Sequence, residues 1–336
     1  MSHEIGQREE RRIRRQQVKD RYVSDNYLSW VILHRIELTH LVFAAESITD
    51  QTERLINSID LSNLIYIKGE FYVNDDIIMD ILKQRTPSLT ILDISECGRH
   101  ITDSSVIPLA KGLPQLKELS LSGTEITGDS LIEISKNLKE LESLEIWRCG
   151  GIEMETFGQM DVCPCLIHFW ALDVDIDDNG LKRLAISCPS LKELFIGFSG
   201  CLVTDDGVIP LVQICGGTLA ILHVRGASQV SDKSLTAVAN HCPELLELDF
   251  GGCYIRETSC FKSLARGCKK LTILSVLEQP WVNIESIPIV ISFLKISLRE
   301  FSCSIDVIAG LGDEDKQNQY FDNLNDKFPK IKFEVL

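Results

Sequence analysis

The stretch HCPELLELDFGGC, residues 241–253, sets Cys242 and Cys253 on either side of ten residues rich in leucine and acid. Cysteines so placed fit metal ligands, disulfide partners or structural thiols, and the choice among them bears on the whole fold. Aligning the leucines of LLELDFGGC with the rest of the chain makes the choice. The pattern L-x-x-L-x-L-x-x-C/N recurs, with apolar substitutions, as LTILDISEC from Leu89, LKELSLSGT from Leu116, LESLEIWRC from Leu141 and LIHFWALDV from Leu166. It continues as LKELFIGFS from Leu191, LAILHVRGA from Leu219, the quoted copy from Leu245 and LTILSVLEQ from Leu271. Weaker copies are read from Leu38, Leu61 and Leu298, with a closing strand near Phe328. Most spacings lie between 25 and 28 residues, a period at which each unit is one short strand and one return element.

Between the strands runs a second pattern. ITDSSVIPLAKGL, VTDDGVIPLVQIC and VSDKSLTAVANHC each begin with Ser/Thr-Asp, whose side-chain oxygens suit the unpaired N–H groups of a first helical turn. Apolar residues then fall at i, i+3, i+4 and i+7, as in Leu181/Leu184/Ala185/Cys188 and Leu235/Val238/Ala239/Cys242. The i+7 cysteine therefore lies on the buried helix face. Cys163, Cys188, Cys215, Cys242 and Cys268 form one column at the helix ends; Cys97, Cys149 and Cys253 form another just after the strand. Both are small apolar sites that suit a thiol. No C-x-x-C pair exists, and Cys163–Cys165 is only a C-x-C, so the residues argue for reduced core thiols, with no metal and no cofactor.

Strand LxELxLxxC, then [IV][ST]D, then a helix ending CPxL resembles the cysteine-containing class of leucine-rich repeats. CPSLKELFIG with VTDDGV, and CPELLELDFGGC, carry the resemblance most closely; it covers residues 85–275 well and the flanks loosely. The class is typical of F-box proteins with leucine-rich repeats, of the mitotic-exit antagonist and of Rad-type repair ligase subunits. The resemblance implies an α/β solenoid, a horseshoe with a parallel sheet on its concave face and helices on its convex face. It also implies a protein-recognition role, often as substrate receptor of a cullin-type ubiquitin ligase that reaches the cullin through an adaptor. An F-box of about forty residues with an early Leu-Pro would be needed for that adaptor, and no Leu-Pro precedes Leu38. The chain thus divides into a basic N-terminal helical arm or cap (1–37) and a solenoid (38–336) with a C-terminal cap from about 310. Residues 150–180 depart from the pattern, because GIEMETFGQM lacks the Thr-Asp start. The prolines of 279–298 predict a shortened or broken helix.

Alternation along a strand turns the leucines inward and the residues between them outward, so equal repeat positions form columns on the concave face. One column reads Ile65, Asp93, Ser120, Glu145, Trp170, Phe195, His223, Asp249, Ser275, Ser302. The next outward reads Ile67, Ser95, Ser122, Trp147, Leu172, Gly197, Arg225, Gly251, Leu277, Ser304. On the other side lie Glu118, Ser143, His168, Glu193, Ile221 and Glu247. Four consecutive repeats therefore gather Trp147, Arg148, His168, Trp170, Phe195, Phe198, His223 and Arg225, residue types common in binding hot spots, beside an acidic rim. Two readings of the aromatics stay open: anchors for a protein partner, or rings covered by their own neighbours.

The chain of 336 residues carries a net charge of −15. Residues 1–21 hold seven Arg/Lys against four acids, a balance of +3 that leaves −18 for the rest. So acidic a body disfavours nucleic acid and favours a partner with basic surface. The arm REERRIRRQQVKDR is the exception: it suits a solvated capping helix, with nuclear import or RNA contact as the alternative. No signal-like h-region opens the chain, and IPIVISFL is too short to span a bilayer, so no membrane role and a cytoplasmic or nuclear location are expected. No GxGxxG, P-loop, HExxH or GxSxG occurs. GRHITDSS brings His, Asp and Ser together only on one repeat turn, and the hydrogen-bonded pair expected of His223 and Asp249 across adjacent strands has no nucleophile, so the chain reads as a binding protein and not an enzyme.

Overall fold

The computed structural model describes residues 22–23, 28–29, 33, 37–43, 50–69, 73–83, 86–197, 202–278, 285–294, 297–303 and 314–335. Among the described residues, thirteen strands form one sheet in chain order, every neighbouring pair parallel. They are β1 Tyr22–Val23, β2 His40–Phe43, β3 Tyr66–Gly69, β4 Ile91–Asp93, β5 Glu118–Ser120, β6 Ser143–Glu145 and β7 His168–Leu172. The second half comprises β8 Glu193–Gly197, β9 Ile221–Arg225, β10 Glu247–Asp249, β11 Ile273–Ser275, β12 Glu300–Cys303 and β13 Lys332–Val335. Helices such as Asp103–Gly112, Asp205–Cys215 and Asp232–His241 return the chain between strands. The architecture is an α/β leucine-rich repeat solenoid, with the strands on its concave face.

The register places Leu92, Leu119, Leu144, Phe169, Leu194, Leu222, Leu248, Leu274 and Phe301 side by side, none more than 1% exposed. These rows belong to one apolar core that runs from Leu28 to Ile331. Each strand from β3 to β12 is tied to the one before by a shared acceptor: the N–H groups of Lys117 and Glu118 both donate to the Thr90 carbonyl, at 2.8 and 3.0 Å. Leu246 and Glu247 do the same to Ala220.

One copy is corrected. Pairing of Ile67 with Leu92 and of Lys68 with Asp93 shows that the early repeat starts at Leu64, not Leu61. Ile67 is therefore core, fully buried, and Lys68 takes the column position expected for Ile65. Leu61, Leu64 and Tyr66 fit the pattern in one frame and Leu64 and Ile67 fit it in another three residues on, and only pairing with β4 distinguishes them.

The Ser/Thr-Asp motif divides its labour across a repeat boundary. The hydroxyl caps its own helix: Thr102 Oγ1 accepts from Ser104 N–H, Thr204 from Asp206 and Ser231 from Lys233. The aspartate instead serves the next repeat. Asp205 accepts from the Ser231 N–H at 2.8 Å and from the hydroxyls of Ser231 and Ser234 at 2.5 and 2.6 Å. Asp75 does this for Thr102 and Ser105, Asp103 for Thr127 and Ser130, Asp178 for Thr204, and Asp232 for the N–H groups of Arg256 and Glu257. Among the described residues this ladder is interrupted between Asp103 and Asp178. Gly128 stands where the aspartate would, and a Cβ there would strike the Thr156 side chain. The following helix is only Met154–Phe157, and Glu153 makes no side-chain cap. Asp177 then caps its own helix through the Gly180 N–H, and Asp178 resumes the ladder. The proline-bearing stretch near the C-terminus keeps a nine-residue helix, Ser286–Leu294.

Among the described cysteines, ten are buried, Cys165 is exposed and none is in a disulfide; Cys201 lies outside the described residues. The thiols bridge repeats. Cys149 and Cys253 donate to the carbonyls of Leu121 and Val224 at 3.2 and 3.1 Å, and Cys215 and Cys268 reach the helix-end carbonyls of Ala185 and Val238 at 3.7 Å. Among the described residues, no group of three or more His, Cys, Asp or Glu is placed to hold a metal ion. None of the described helices is long and apolar enough to cross a membrane.

Burial pushes the thiols of Cys215 and Cys303 up to about 11 and that of Cys268 up to about 12, from an ordinary 9.0. Native thiol titration should modify Cys165 at once and leave Cys215, Cys242 and Cys268 silent until denaturant is added. The stability these thiols contribute is complete below their ordinary value and declines as pH rises toward 11 and 12, because only the unfolded thiols ionise. Stoichiometric zinc, or loss of fold with a chelator, would contradict the thiol assignment.

The ladder makes a separate prediction. Burial raises the Asp205 carboxyl, but the hydrogen bonds from Ser231 and Ser234 together outweigh it and hold the group below its ordinary 3.8. Its contribution is therefore present above that value and lost as pH falls through the depressed one. Asp205→Ala removes an ionic acceptor from three donors and should cost about 1.5–3 kcal/mol in denaturant unfolding at neutral pH, less in acid. An unchanged midpoint would show the ladder to be energetically idle.

Candidate protein interface

The outward columns of the sheet follow the pairing register from β4 to β12. Asp93, Ser120, Glu145, Trp170, Phe195, His223, Asp249, Ser275 and Ser302 are consecutive partners, as are Ile91, Glu118, Ser143, His168, Glu193, Ile221, Glu247, Ile273 and Glu300. No lysine or arginine stands in either column over this span. Between repeats 4.8 Å apart a column residue is flanked on both sides, so even its serines keep little exposure: Ser120 and Ser302 are 4% and 5% exposed.

The aromatics are stacked, not free-standing. The Trp170 and Phe195 rings lie 4.8 Å apart at 52°, and Phe195 and His223 lie 4.2 Å apart at the same angle. Trp170, Phe195 and Ile221 form an apolar cluster of their own, separate from the leucine core, with Leu172 and Ala220 packed against it. Trp170 and Phe195 are under a tenth exposed.

Two histidine–glutamate pairs flank this stack. His223 Nε2 lies 2.8 Å from Glu247 Oε1, and His168 Nδ1 lies 3.1 Å from Glu193 Oε2. The expected pairing of His223 with Asp249 is corrected. Asp249 is the direct register partner, but its shorter side chain turns back to accept the Gly251 N–H at 2.8 Å, and the longer Glu247 reaches the imidazole.

Toward the C-terminal rim of the strands the chemistry changes. Trp147 is half-buried, and the exposed Arg148 guanidinium lies 4.6 Å from its ring centroid, a cation–π contact. Arg148 Nε is also 3.8 Å from Asp173 Oδ2, and Arg225 Nη2 is 3.4 Å from Glu278 Oε1. Arg148, Asp173 and Glu278 adopt left-handed backbone, φ 57°, 55° and 55°. That conformation costs non-glycine residues on the order of 1–2 kcal/mol. Between Leu172 and Arg225 sits Gly197, whose φ of 122° and contact with the Arg225 carbonyl exclude any side chain. The outer column is therefore notched in its middle. Phe198 lies outside the described residues. Of the eight residues singled out from sequence, Trp147, Arg148, His168, Trp170, Phe195, His223 and Arg225 come together on one face of β6–β9 and the turns after them. Asp173 and Glu278, which hold the two arginines, were not anticipated, because their role depends on a turn geometry that leucine spacing does not encode.

No protein-family model matches the chain. Among solved structures it is similar to a chain of the Rad7 and Elc1 complex from yeast, with a TM-score of 0.57 and 16% identity over 84% of this chain and 83% of that one. It is also similar to an internalin, InlF, from Listeria monocytogenes, with a TM-score of 0.55 and 17% identity over 94% of this chain and 84% of that one. At such identities the likeness is one of fold, that of a leucine-rich repeat solenoid.

Proposed function

We propose that this solenoid is a protein-recognition subunit that holds a basic protein segment against the concave strands β6–β9, as substrate receptor in ubiquitin-dependent degradation. The carrying observation is the gathering of Trp147, Trp170 and Phe195 among carboxylates, with Arg148 and Arg225 along one border. Rings supply contact area at small entropic cost, and the acidic columns attract a cationic partner at long range. The ligase role rests on the resemblance to F-box-type cysteine-containing repeats and on the fold shared with a chain of the Rad7 and Elc1 complex. A second reading is a scaffold, regulator or effector that works without a ligase.

Partner capture from cell extract with wild-type protein and with Trp147→Ala/Trp170→Ala tests the face. Trp170→Ala alone should weaken binding by about 2 kcal/mol, roughly thirtyfold. Its effect on folding should stay below that of a leucine-core truncation, because the ring packs in the small separate cluster. Raising salt should slow association and leave dissociation less affected. Equal retention of the same partners by a folded double mutant would move the site off the concave face.

The two readings separate on a pull-down with purified cullin-ligase adaptors. Direct capture of an adaptor by the full chain, lost when residues 1–37 are altered, is the expected result for a receptor. No adaptor bound while partners are still captured would leave the scaffold reading.

A further inference from the structure

We propose that the helix-to-strand turns leading into β11, β12 and β13 form a cationic rim that binds an acidic segment of a second protein partner. The inference rests on charge at one edge of the solenoid and is independent of the concave-face reading and of the ligase reading.

Helices Ser259–Gly267, Ser286–Leu294 and Glu314–Lys327 lead into these three strands. The strands are consecutive parallel neighbours, so their entry turns lie side by side along one edge. The helix ends and turns present Arg266, Lys269, Lys270, Arg299, Lys327 and Lys330, all exposed. Two acids lie among them. Asp326 is in the last helix, and Glu244, from the turn before, pairs with Lys270 at 2.5 Å. Both members of that pair are exposed, so it holds Lys270 only weakly. Glu300, at the start of β12, is matched by Lys332, its register partner on β13. Arg299 Nη1 donates to the carbonyls of Ser297 and Leu298 at 3.1 and 2.9 Å, which fixes its guanidinium at the rim.

Cations suit the C-terminus of any helix. That attraction is common to every repeat, yet the three preceding turns, 188–192, 216–220 and 242–246, hold Lys192, no charge and Glu244. The helix dipole therefore does not account for the clustering, which runs against a net charge of −15.

The size of the rim selects the ligand. Adjacent repeats are about 4.8 Å apart at the strands and about 8–10 Å at the helices, so three turns span roughly 10–20 Å. An extended peptide crosses that distance in about three to six residues. A long polyanion or an anionic membrane also meets the acidic remainder of the surface, whereas a short acidic segment meets only the rim. Phe328 is the one aromatic among the described residues of these turns, and it is buried, which leaves no ring there to stack a base. Leu246 is exposed, and its carbonyl accepts the Thr272 N–H at 2.8 Å, so it borders the first of the three turns. The rim thus accommodates an apolar side chain beside the acids.

The test is fluorescence anisotropy of a labelled synthetic peptide of glutamates with one central leucine, about eight residues and about 27 Å long when extended. The full chain should bind it at about 50 mM salt and release it at about 500 mM. Lys269→Glu/Lys330→Glu should weaken binding at least about tenfold, whereas Lys192→Glu/Lys233→Glu, at exposed lysines outside the rim, should leave it within about twofold. Trp147→Ala/Trp170→Ala should bind the peptide as wild type does, which separates the rim from the concave face. No binding at low salt would overturn the proposal, and so would equal weakening by both lysine pairs, which means diffuse attraction. Tighter binding of a labelled oligothymidylate or of phosphatidylserine vesicles would overturn it in favour of nucleic acid or membrane. Self-association at low salt that the rim variant loses would overturn it in favour of a second copy. Should the charge-reversed rim variant fail to fold, Lys269→Gln/Lys330→Gln replaces it, with an expected loss of about threefold.

Discussion

The described repeats bury their leucines only against one another. Leu222 and Leu248 are fully enclosed only because the rows before and after them supply the other walls. That dependence on the neighbour is the constraint from which the rest follows. It sets the one-dimensional order of the sheet and makes stability a matter of interfaces between units. The polar groups obey the same rule. The Thr90 carbonyl takes two N–H groups from the next repeat, Asp205 holds the next helix start, and Cys253 donates back to Val224. Apolar, ionic and thiol contacts thus all cross the repeat boundary, and the ladder is interrupted where Gly128 leaves room for Thr156.

The same stacking converts sequence variation into surface. A residue that changes from repeat to repeat becomes one position in a column, so Glu145, Trp170, Phe195 and His223 are neighbours although 25 to 28 residues apart. Ring stacking and the His223–Glu247 and His168–Glu193 pairs order the side chains of that face, in a cluster separate from the leucine core. A surface so preorganised loses little side-chain freedom on binding.

Much of this was legible from residues alone. Regular leucine spacing fixed the fold, because a period near 26 leaves room for one strand and one helix and little else. The columns from Asp93 onward were readable for the same reason. What failed to read was whatever depends on a choice between equivalent partners. Leu61 and Leu64 both fit the repeat, and pairing with β4 selected Leu64. The aspartate of Ser/Thr-Asp looked like part of its own helix cap, since sequence proximity hides a partner such as Ser231, 26 residues on from Asp205. Asp249 looked like the partner of His223 until side-chain length gave that place to Glu247. The stacking of Trp170 on Phe195 was open in sequence, because a column position says which rings are adjacent and not whether they close on each other.

The account's central claim is that recognition occurs on the strand face around β6–β9. The four tryptophans, Trp30, Trp147, Trp170 and Trp281, report on it through their indole N–H resonances, assigned by single substitution to phenylalanine. Titrating a captured basic partner into the labelled full chain should shift or broaden the signals of Trp147 and Trp170. Unmoved Trp147 and Trp170 signals in a chain that demonstrably binds the partner would contradict the claim.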